Sequence, residues 1–425
     1  MRAVERATRE EQHGSSSEGV TAEPRVVAEL SASALVNNFR VIADLAPEHT
    51  VLPMIKANAY GHGAVWAARQ MLMEPRLEGF GVATLPEGKE LRKALGAKAQ
   101  NIRIVIFSGA LGYPQGFSEE AGQYCEKYGL TPVIASDDSW HAFLRGGWAE
   151  RVPYELEFNT GMNRLGISAS LSGRVAADLA KLDGSAHPQG VMTHFASAEA
   201  PESKLTQTQI ERFIAIRKDF ASKCPATRYH VANSAAIWNR KNYGLDGFSD
   251  LVRPGLSLYG VPPWAGAPAR GLIPVMTLRS RVLARYDLKA GESVGYGGTF
   301  IAGQSAPPAQ SSADVGGDAR SAKSRESVVR VATVAAGYAD GLLRALKGTG
   351  GNTGGFAWLQ GRPERFVGIV SMDLSAVTCS SSAKPGDWVE WMGPNVDAWA
   401  QARAAGTVPY ELLTSVSARV QRNYV

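Results

Sequence analysis

The stretch that decides the fold reads Thr50-Val51-Leu52-Pro53-Met54-Ile55-Lys56-Ala57-Asn58-Ala59-Tyr60-Gly61-His62-Gly63. Its first six residues form an apolar run that predicts a short buried strand. Lys56 follows this run, where burial lowers the pKa of an amine and lets it act as a nucleophile. The glycines at the end predict a turn into a helix. Taken alone, such a pattern is more often a lysine with a buried stem and a solvent-exposed charge than a nucleophile.

Working outward from this stretch, seven more apolar runs follow before residue 263, with amphipathic segments between most of them. Strands that alternate with helices predict a parallel sheet, and eight of them close into an α/β (β/α)8 barrel of the TIM type. A doubly wound open sheet is the alternative that the alternation leaves open. The eight runs cover residues 51–55, 80–84, 102–107, 131–135, 152–158, 189–195, 228–232 and 251–259.

The sequence pattern changes near residue 272, where valine-rich runs alternate with glycine-rich turns. This pattern predicts a mostly-β C-terminal domain, with strands at 281–286, 292–297, 329–334, 366–369 and 388–392. The polar first residues and a segment rich in Ser, Ala, Gly and Pro are predicted to lack a packed core. We therefore expect a disordered tail at 1–25, a barrel at 26–270, and a β-rich domain at 271–425 with a flexible insert at 303–327.

Composition narrows the function classes. The chain has 425 residues and 45 basic against 40 acidic side chains, and these charges are interspersed, so no nucleic-acid partner is expected. No apolar run is long enough to span a membrane. Cys125, Cys224 and Cys379 lie far apart, which predicts neither a metal site nor a disulfide framework. The first residues lack the apolar centre of an export signal, so a cytoplasmic location is expected.

Unusual polar residues recur where the predicted barrel strands end, which is the face that carries active sites in such barrels. The loops after the seventh and eighth strands often bind phosphate, and here they carry small residues whose backbone N–H groups can approach an anion. Ser234 alone is more often a helix N-cap. The residues at these strand ends are Lys56, Arg164, His194, Asn233, Ser234, Arg253 and Gly255.

The octapeptide from Lys56 to Gly63 and the segment Val252-Arg253-Pro254-Gly255 resemble motifs of the alanine racemases, which are fold-type III enzymes dependent on pyridoxal 5′-phosphate (PLP). The resemblance covers nearly the whole chain apart from the tail and the insert. It implies a cytoplasmic homodimer that interconverts L-alanine and D-alanine and supplies D-alanine for cell-wall peptidoglycan.

The resemblance also implies a two-base mechanism. Lys56 would hold the cofactor and serve one face of the substrate, and Tyr296 of the partner subunit would serve the other. Because a tyrosine with an ordinary pKa of about 10 is a poor base, His194 and Arg253 would form a relay to it. Arg253 would also face the pyridine nitrogen and leave it neutral, which favours racemisation over transamination.

Further residues are assigned by the same resemblance. The substrate would be bound by Arg164, Met372, Asp373 and Tyr338. The cofactor would be bound by Lys56, Tyr60, His194, Asn233, Ser234, Arg253, Gly255, Leu256 and Tyr410.

One position departs from the family. Strand residues alternate in direction, so Glu155, Glu157 and Asn159 are predicted to face the barrel interior. Many family members have a carbamylated, anionic lysine where this chain has Glu157, and an aspartate where it has Asn159. We hypothesise that Glu157 supplies the negative charge directly and orients Arg164 without any modification.

Other functions remain open at this point. A serine or broad-specificity racemase is one, although Tyr410 beside the substrate methyl group and the lack of an export signal favour alanine. A non-catalytic PLP-carrier protein is another, but such proteins resemble the barrel alone and lack a β domain with Tyr296. Arg253 in place of an acidic pyridine partner argues against a barrel decarboxylase.

Overall fold

The computed structural model describes residues 23–108, 116–304, 328–349 and 354–425. The first strand, β1 (Val26–Leu30), begins close to the start of this part of the chain. Most of the predicted tail at 1–25 and of the predicted insert at 303–327 lies outside the described residues.

Eight parallel strands close into a barrel. Six of them pair in the order β3-β4-β5-β6-β8-β9, and β10 pairs with β2. Parallel bridges from Met54 to Gly81 and from Ala232 to Val252 join the two sheets. The predicted barrel is confirmed and the open sheet is wrong. The strands, with the short β7 beside β6, are β2 (Thr50–Val51), β3 (Gly79–Val82), β4 (Arg103–Ile106), β5 (Thr131–Ile134), β6 (Glu155–Asn159), β7 (Ile167–Ser168), β8 (Gly190–Met192), β9 (Arg228–His230) and β10 (Leu251–Val252).

Helices cover the outside of the barrel, and several of them begin at capping side chains. Ser31 Oγ accepts from the Ala34 amide at 3.2 Å, and Thr84 and Glu87 form a reciprocal capping box. The helices are α1 (Ala32–Leu45), α2 (Ala64–Met71), α3 (Leu85–Leu95), α4 (Glu119–Tyr128), α5 (Asp137–Arg145), α6 (Ser172–Leu179), α7 (Lys204–Ala221), α8 (Ser234–Trp238) and α9 (Arg240–Tyr243).

The barrel interior is built in layers, as is usual for this fold. The bottom layer is charged and lies where the strands begin. A middle layer of apolar side chains separates it from the mouth, where the strands end. The bottom layer contains Thr50, Glu78, Arg103, Glu155 and Arg228. The middle layer contains Leu52, Val105, Val133, Met192 and Leu251.

The remaining strands form antiparallel sheets. β1 lies within the range predicted for the barrel, but it pairs with β11 and β19. The division of the chain at 270 and 271 stays a prediction. The largest sheet has the order β16-β15-β18-β11-β1-β19, with β14 and β17 attached through β11. The strands are β11 (Met276–Leu288), β12 (Ser293–Val294), β13 (Phe300–Ile301), β14 (Val329–Val334), β15 (Phe356–Leu359), β16 (Arg362–Arg365), β17 (Ser375–Thr378), β18 (Trp388–Met392) and β19 (Gln421–Tyr424).

The strand predicted at 366–369 is wrong. Phe366 and Gly368 make only isolated bridges, to Val377 and Gly348. Gly368 has a φ of +71°, which is incompatible with a strand. The hairpin of β15 and β16 replaces the predicted strand.

Two further helices lie near the end of the chain, before β19. They are α10 (Ala398–Ala404) and α11 (Pro409–Thr414).

Candidate active site

A cavity of about 470 Å³ opens at the barrel mouth. It brings together eleven of the residues that the sequence predicted for a site, from the ends of five barrel strands and from α11. Among the remaining lining residues are Met54, Phe107, Ser108, Leu165 and Met192. The predicted residues in the cavity are Lys56, Tyr60, Glu157, Arg164, His194, Asn233, Ser234, Arg253, Gly255, Leu256 and Tyr410.

Lys56 enters a left-handed turn. The four residues that follow it, Ala57 to Tyr60, all have φ between +51° and +55° although none is glycine. Such a conformation costs roughly 1–2 kcal/mol per residue, so neighbouring groups must hold it. The Ala57 amide donates to Glu87 Oε1 at 2.7 Å, and the Ala64 amide donates to Asn58 Oδ1 at 2.8 Å. Nothing in the sequence predicts this turn.

The surroundings of Lys56 favour its neutral amine. Burial lowers the pKa of this amine, and the positive charge of Arg164 lowers it further, whereas the negative charge of Glu87 raises it. An amine that is neutral more often near physiological pH is a stronger nucleophile and base. The nucleophilic character predicted for this lysine is therefore consistent with its position.

An aromatic stack supports the other side of the turn. The Tyr60 ring lies 4.8 Å from the Tyr259 ring and 6.0 Å from the Tyr410 ring. His62 stacks on Tyr259 at 4.5 Å, and its Nδ1 lies 2.9 Å from the carbonyl oxygens of Ala59 and Tyr60. Burial raises the pKa of Tyr60, so its hydroxyl stays protonated and available as a donor.

With Ser234, the loop between β10 and the following turn forms a cradle of small residues that could hold an anion. Ser234 Oγ accepts from the amides of Gly255 at 3.1 Å and Ser257 at 3.3 Å. Both bonds use its oxygen, so its own proton is free to donate into the cavity. A Cβ at Gly255 would lie 2.4 Å from Tyr60 Oη, so the backbone can approach only as glycine. The helix cap is Asn233, whose Oδ1 accepts from the Ala236 amide at 3.0 Å, and not Ser234.

Arg253 is held by a buried polar chain. Its Nη1 lies 2.6 Å from His230 Nδ1 and its Nη2 donates to Thr193 O at 2.9 Å. Because a guanidinium only donates, His230 Nδ1 accepts and the imidazole proton sits on Nε2, 3.2 Å from Glu155 Oε2. Glu155 also pairs with Arg103. Burial lowers the pKa of Arg253 to about 10, so it stays charged near neutral pH.

His194 is a neutral imidazole in this cavity. Burial and the positive charges of Arg253, Arg164 and Lys56 lower its pKa to about 3. The described residues form no direct hydrogen bond between His194 and Arg253, although both line the cavity. A neutral ring nitrogen can accept a hydrogen bond from a hydroxyl group that enters the cavity.

Glu157 and Arg164 line the same cavity. Burial raises the pKa of Glu157, and the charges of Arg253 and Arg164 act in the opposite direction. Among the described residues, no hydrogen bond or ion pair joins Glu157 to Arg164. Glu157 does face the barrel interior, as the strand period predicts, and Glu155 does so one layer below. Orientation of Arg164 by Glu157 stays a prediction.

Four predicted residues lie outside this cavity, on the β-rich part of the chain. Tyr296 is 73% exposed, Met372 is 53% exposed and Tyr338 is 44% exposed. The Tyr338 amide donates to Ser371 O at 2.9 Å, which ties two of these loops together. Asp373 pairs with Arg419 at 2.9 Å. None of these four side chains lines the cavity.

The sequence interpretation missed two residues near the cavity, His230 and Glu87. His230 lies two residues after Arg228 on β9 and therefore on the same face, and this period of two was the available signal that it faces inward. The pattern of Thr84 followed by Glu87 predicts a capping box, but not the bond from Glu87 to Ala57. Glu155 was predicted to face the interior, without its partners.

Fold and site together define a two-domain barrel enzyme with an amine, a guanidinium and an anion cradle in one cavity. Models of the alanine racemase N-terminal and C-terminal domains match residues 30–263 and 308–424. An alanine racemase from Shewanella woodyi is 34% identical over 398 residues, which cover 92% of this chain and 97% of that protein. The chain belongs to the alanine racemase family, whose members are PLP-dependent isomerases.

Solved structures give the same relationship. The biosynthetic alanine racemase from Pseudomonas aeruginosa is 31% identical with a TM-score of 0.77, over 95% of this chain and all of that one. An alanine racemase from Bartonella henselae with covalently bound pyridoxal phosphate is 26% identical with a TM-score of 0.75, over 94% and 99% of the two chains.

Proposed function

We propose that this chain interconverts L-alanine and D-alanine with PLP held by Lys56, in sites that two copies of the chain complete for each other. The observation that carries the proposal is that Lys56, Ser234, Arg253 and Arg164 meet in one cavity at the barrel mouth. Each supplies a different function that the reaction needs: an amine, a phosphate donor, a partner for an aromatic nitrogen and a carboxylate fork.

The residues present fit PLP. The Ser234 hydroxyl, the Tyr60 hydroxyl and the backbone at Gly255 would hold its phosphate, and the space that a Cβ at Gly255 would fill is closed by Tyr60. Lys56 would hold the group through its amine. When bound, PLP withdraws electrons from the Cα–H bond of an amino acid and makes that proton removable.

The residues of the chain divide the proton transfers between them. Lys56 Nζ removes or returns the Cα proton on one face of alanine, and the lowered pKa of this amine suits that work. Tyr296 Oη of the second copy serves the opposite face, and the neutral His194 ring accepts a hydrogen bond from it. Arg253 only donates, so an aromatic nitrogen placed against it accepts and remains unprotonated.

Arg164 binds the substrate carboxylate. Its planar fork matches the two carboxylate oxygens, and Glu157 shares the cavity as an acidic neighbour. Tyr410 lines the same cavity and limits the room for a substrate side chain. These contacts favour alanine over larger amino acids.

The exposed residues of the β-rich part support a homodimer. Tyr296, Tyr338 and Met372 are large side chains exposed together with Asp373, which is more typical of an interaction surface than of a free one. A twofold dimer would bring each set to the cavity of the other copy. We also propose that the D-alanine serves peptidoglycan synthesis in the cytoplasm. Among the described residues, no helix is long and apolar enough to cross a membrane.

The experiment is α-hydrogen exchange in D₂O with purified protein and added PLP, followed by NMR and polarimetry. L-alanine is compared with L-serine and L-arginine. Deuteration and loss of optical activity for alanine alone support the proposal. Equal rates for the larger amino acids would make the enzyme a broad-specificity racemase. Binding of PLP without any exchange would mean a carrier protein and would overturn the proposal.

A further inference from the structure

We infer that Glu87 is a positioning residue that holds the left-handed turn after Lys56 and so aims the lysine amine into the cavity. The inference rests on the proposed function of Lys56 and extends it to a residue in the first turn of α3. Glu87 does not line the cavity itself, so it would act through the turn and through its charge.

The geometry links two loops through one carboxylate. Glu87 Oε1 accepts from the Ala57 amide at 2.7 Å, directly after Lys56. Its other oxygen accepts from the amides of Ala83 at 2.8 Å and Thr84 at 3.1 Å. Three N–H groups therefore converge on two carboxylate oxygens. The turn after the first barrel strand is tied in this way to the start of α3.

The turn needs such a tie because it is strained. Ala57 and Asn58 are exposed and have positive φ, so packing contributes little on this side. The far end of the turn is better supported, since Leu413 O lies against Gly61 and Arg422 Nε donates to Gly61 O at 3.0 Å. Glu87 is the contact at the end nearest Lys56. If it is lost, Lys56 is the residue whose backbone is freed.

The charge of Glu87 acts on the same amine. The charged groups that act on the Lys56 amine are Arg164, His194 and Glu87. Tyr60, Glu157, Arg253 and Tyr410 line the same cavity. The charge of Glu87 raises the pKa of the amine and partly offsets the positive charge of Arg164. A merely structural helix cap would not be expected to alter the protonation of Lys56.

Three substitutions separate the positioning role of Glu87 from the effect of its charge and from simple helix capping. Glu87→Gln keeps the length but has one acceptor oxygen, so its NH₂ group must oppose one set of N–H donors. Glu87→Asp keeps the charge but is one methylene too short to bond both loops. Thr84→Ala is the matched control, because it removes the Thr84 Oγ1 part of the same capping box and leaves the bond to Ala57.

The experiment measures kcat and KM for L-alanine across pH with each holoenzyme. Borohydride reduction followed by intact-mass measurement gives the fraction of protein that carries fixed PLP. Thermal unfolding gives the stability of each variant. Both Glu87 variants should lose roughly tenfold or more in kcat with a small change in KM, because small misplacements are costly. Both should fix less PLP. Thr84→Ala should stay within about twofold of wild type in kcat and in PLP fixation, although loss of the cap should lower its stability in thermal unfolding.

The pH profile gives a separate readout. Removal of the negative charge lowers the pKa of the Lys56 amine, so the acid limb of kcat in Glu87→Gln should move to lower pH. The limb of Glu87→Asp should stay in place. If Glu87→Gln matches Thr84→Ala in kcat, PLP fixation and acid limb, Glu87 is only a helix cap and the inference is wrong. If wild type itself neither racemises alanine nor fixes PLP, the proposed function fails instead.

Discussion

Gly255→Ala tests the anion cradle directly. The new Cβ would lie 2.4 Å from Tyr60 Oη and 3.2 Å from Tyr60 Cζ, whereas ordinary contacts begin near 3.4 Å. Tyr60 is buried and stacked on Tyr259, so its ring cannot swing away freely. Either the hydroxyl or the loop at Gly255 must move by about 1 Å, and an overpacked site of this kind costs about 1–3 kcal/mol of stability.

The larger effect should fall on PLP affinity. The shift takes one phosphate donor out of reach, and a hydrogen bond to a charged group is worth about 1.5–3 kcal/mol. The Kd for PLP should therefore rise roughly 10- to 150-fold. Titration of the apoenzyme with PLP, followed by absorbance, gives this value, and thermal unfolding of the apoenzyme gives the stability.

A double-mutant cycle isolates the clash. Tyr60→Phe removes the atom at 2.4 Å and leaves the ring carbon at 3.2 Å as the nearest contact. Gly255→Ala should consequently be milder in the Tyr60→Phe background than in wild type, with a coupling of about 1 kcal/mol or more. Equal effects in both backgrounds, or unchanged PLP affinity in Gly255→Ala, would refute the reasoning.

Three further outcomes are expected. Arg164→Lys should raise KM for alanine roughly tenfold or more with a smaller decrease in kcat, since lysine cannot present a planar fork. A decrease in kcat as large as the increase in KM would contradict a role of Arg164 in carboxylate binding. Burial lowers the pKa of His62 to about 4, so the stability that its neutral form contributes is present above pH 6.5. This contribution, up to about 3 kcal/mol, is lost as the pH falls toward 4. In His62→Gln the free energy of urea unfolding should depend less on pH across this range, and an unchanged pH dependence would contradict the role of His62. Glu155→Gln should cost about 3 kcal/mol because it removes a fully buried charge and leaves Arg103 paired with Glu78 alone. Glu126→Gln at an exposed pair should change little. Similar urea midpoints for the two variants would show that the buried pair contributes little.

The barrel was predictable because its strands are short, apolar and separated by amphipathic helices. The runs from residue 51 to residue 259 correspond to the observed strands, although several ladders are shorter than the runs. The pairing of β1 with β11 and β19 was not predictable from local pattern. Its partners lie about 250 and 390 residues away, and such pairings depend on tertiary packing.

The candidate site was predicted well where a residue follows a strand and poorly where tertiary contacts decide. Lys56, Ser234 and Arg253 lie at strand ends, so the topology alone brings them together. The left-handed turn after Lys56 has no sequence signal, because alanine and tyrosine do not favour positive φ. The role of Glu87 depends on that turn and was therefore missed as well.

The central claim is that two copies of the chain complete each active site, and a complementation measurement tests it most directly. Lys56→Ala and Tyr296→Phe are purified separately, mixed in equal amounts, dissociated and allowed to reassociate. Each variant alone should racemise alanine very slowly. In a mixed dimer, one site receives both Lys56 and Tyr296, so random reassociation should restore about a quarter of wild-type activity. If both residues served the same chain, no mixed dimer would hold a complete site, and an inactive mixture would contradict the account.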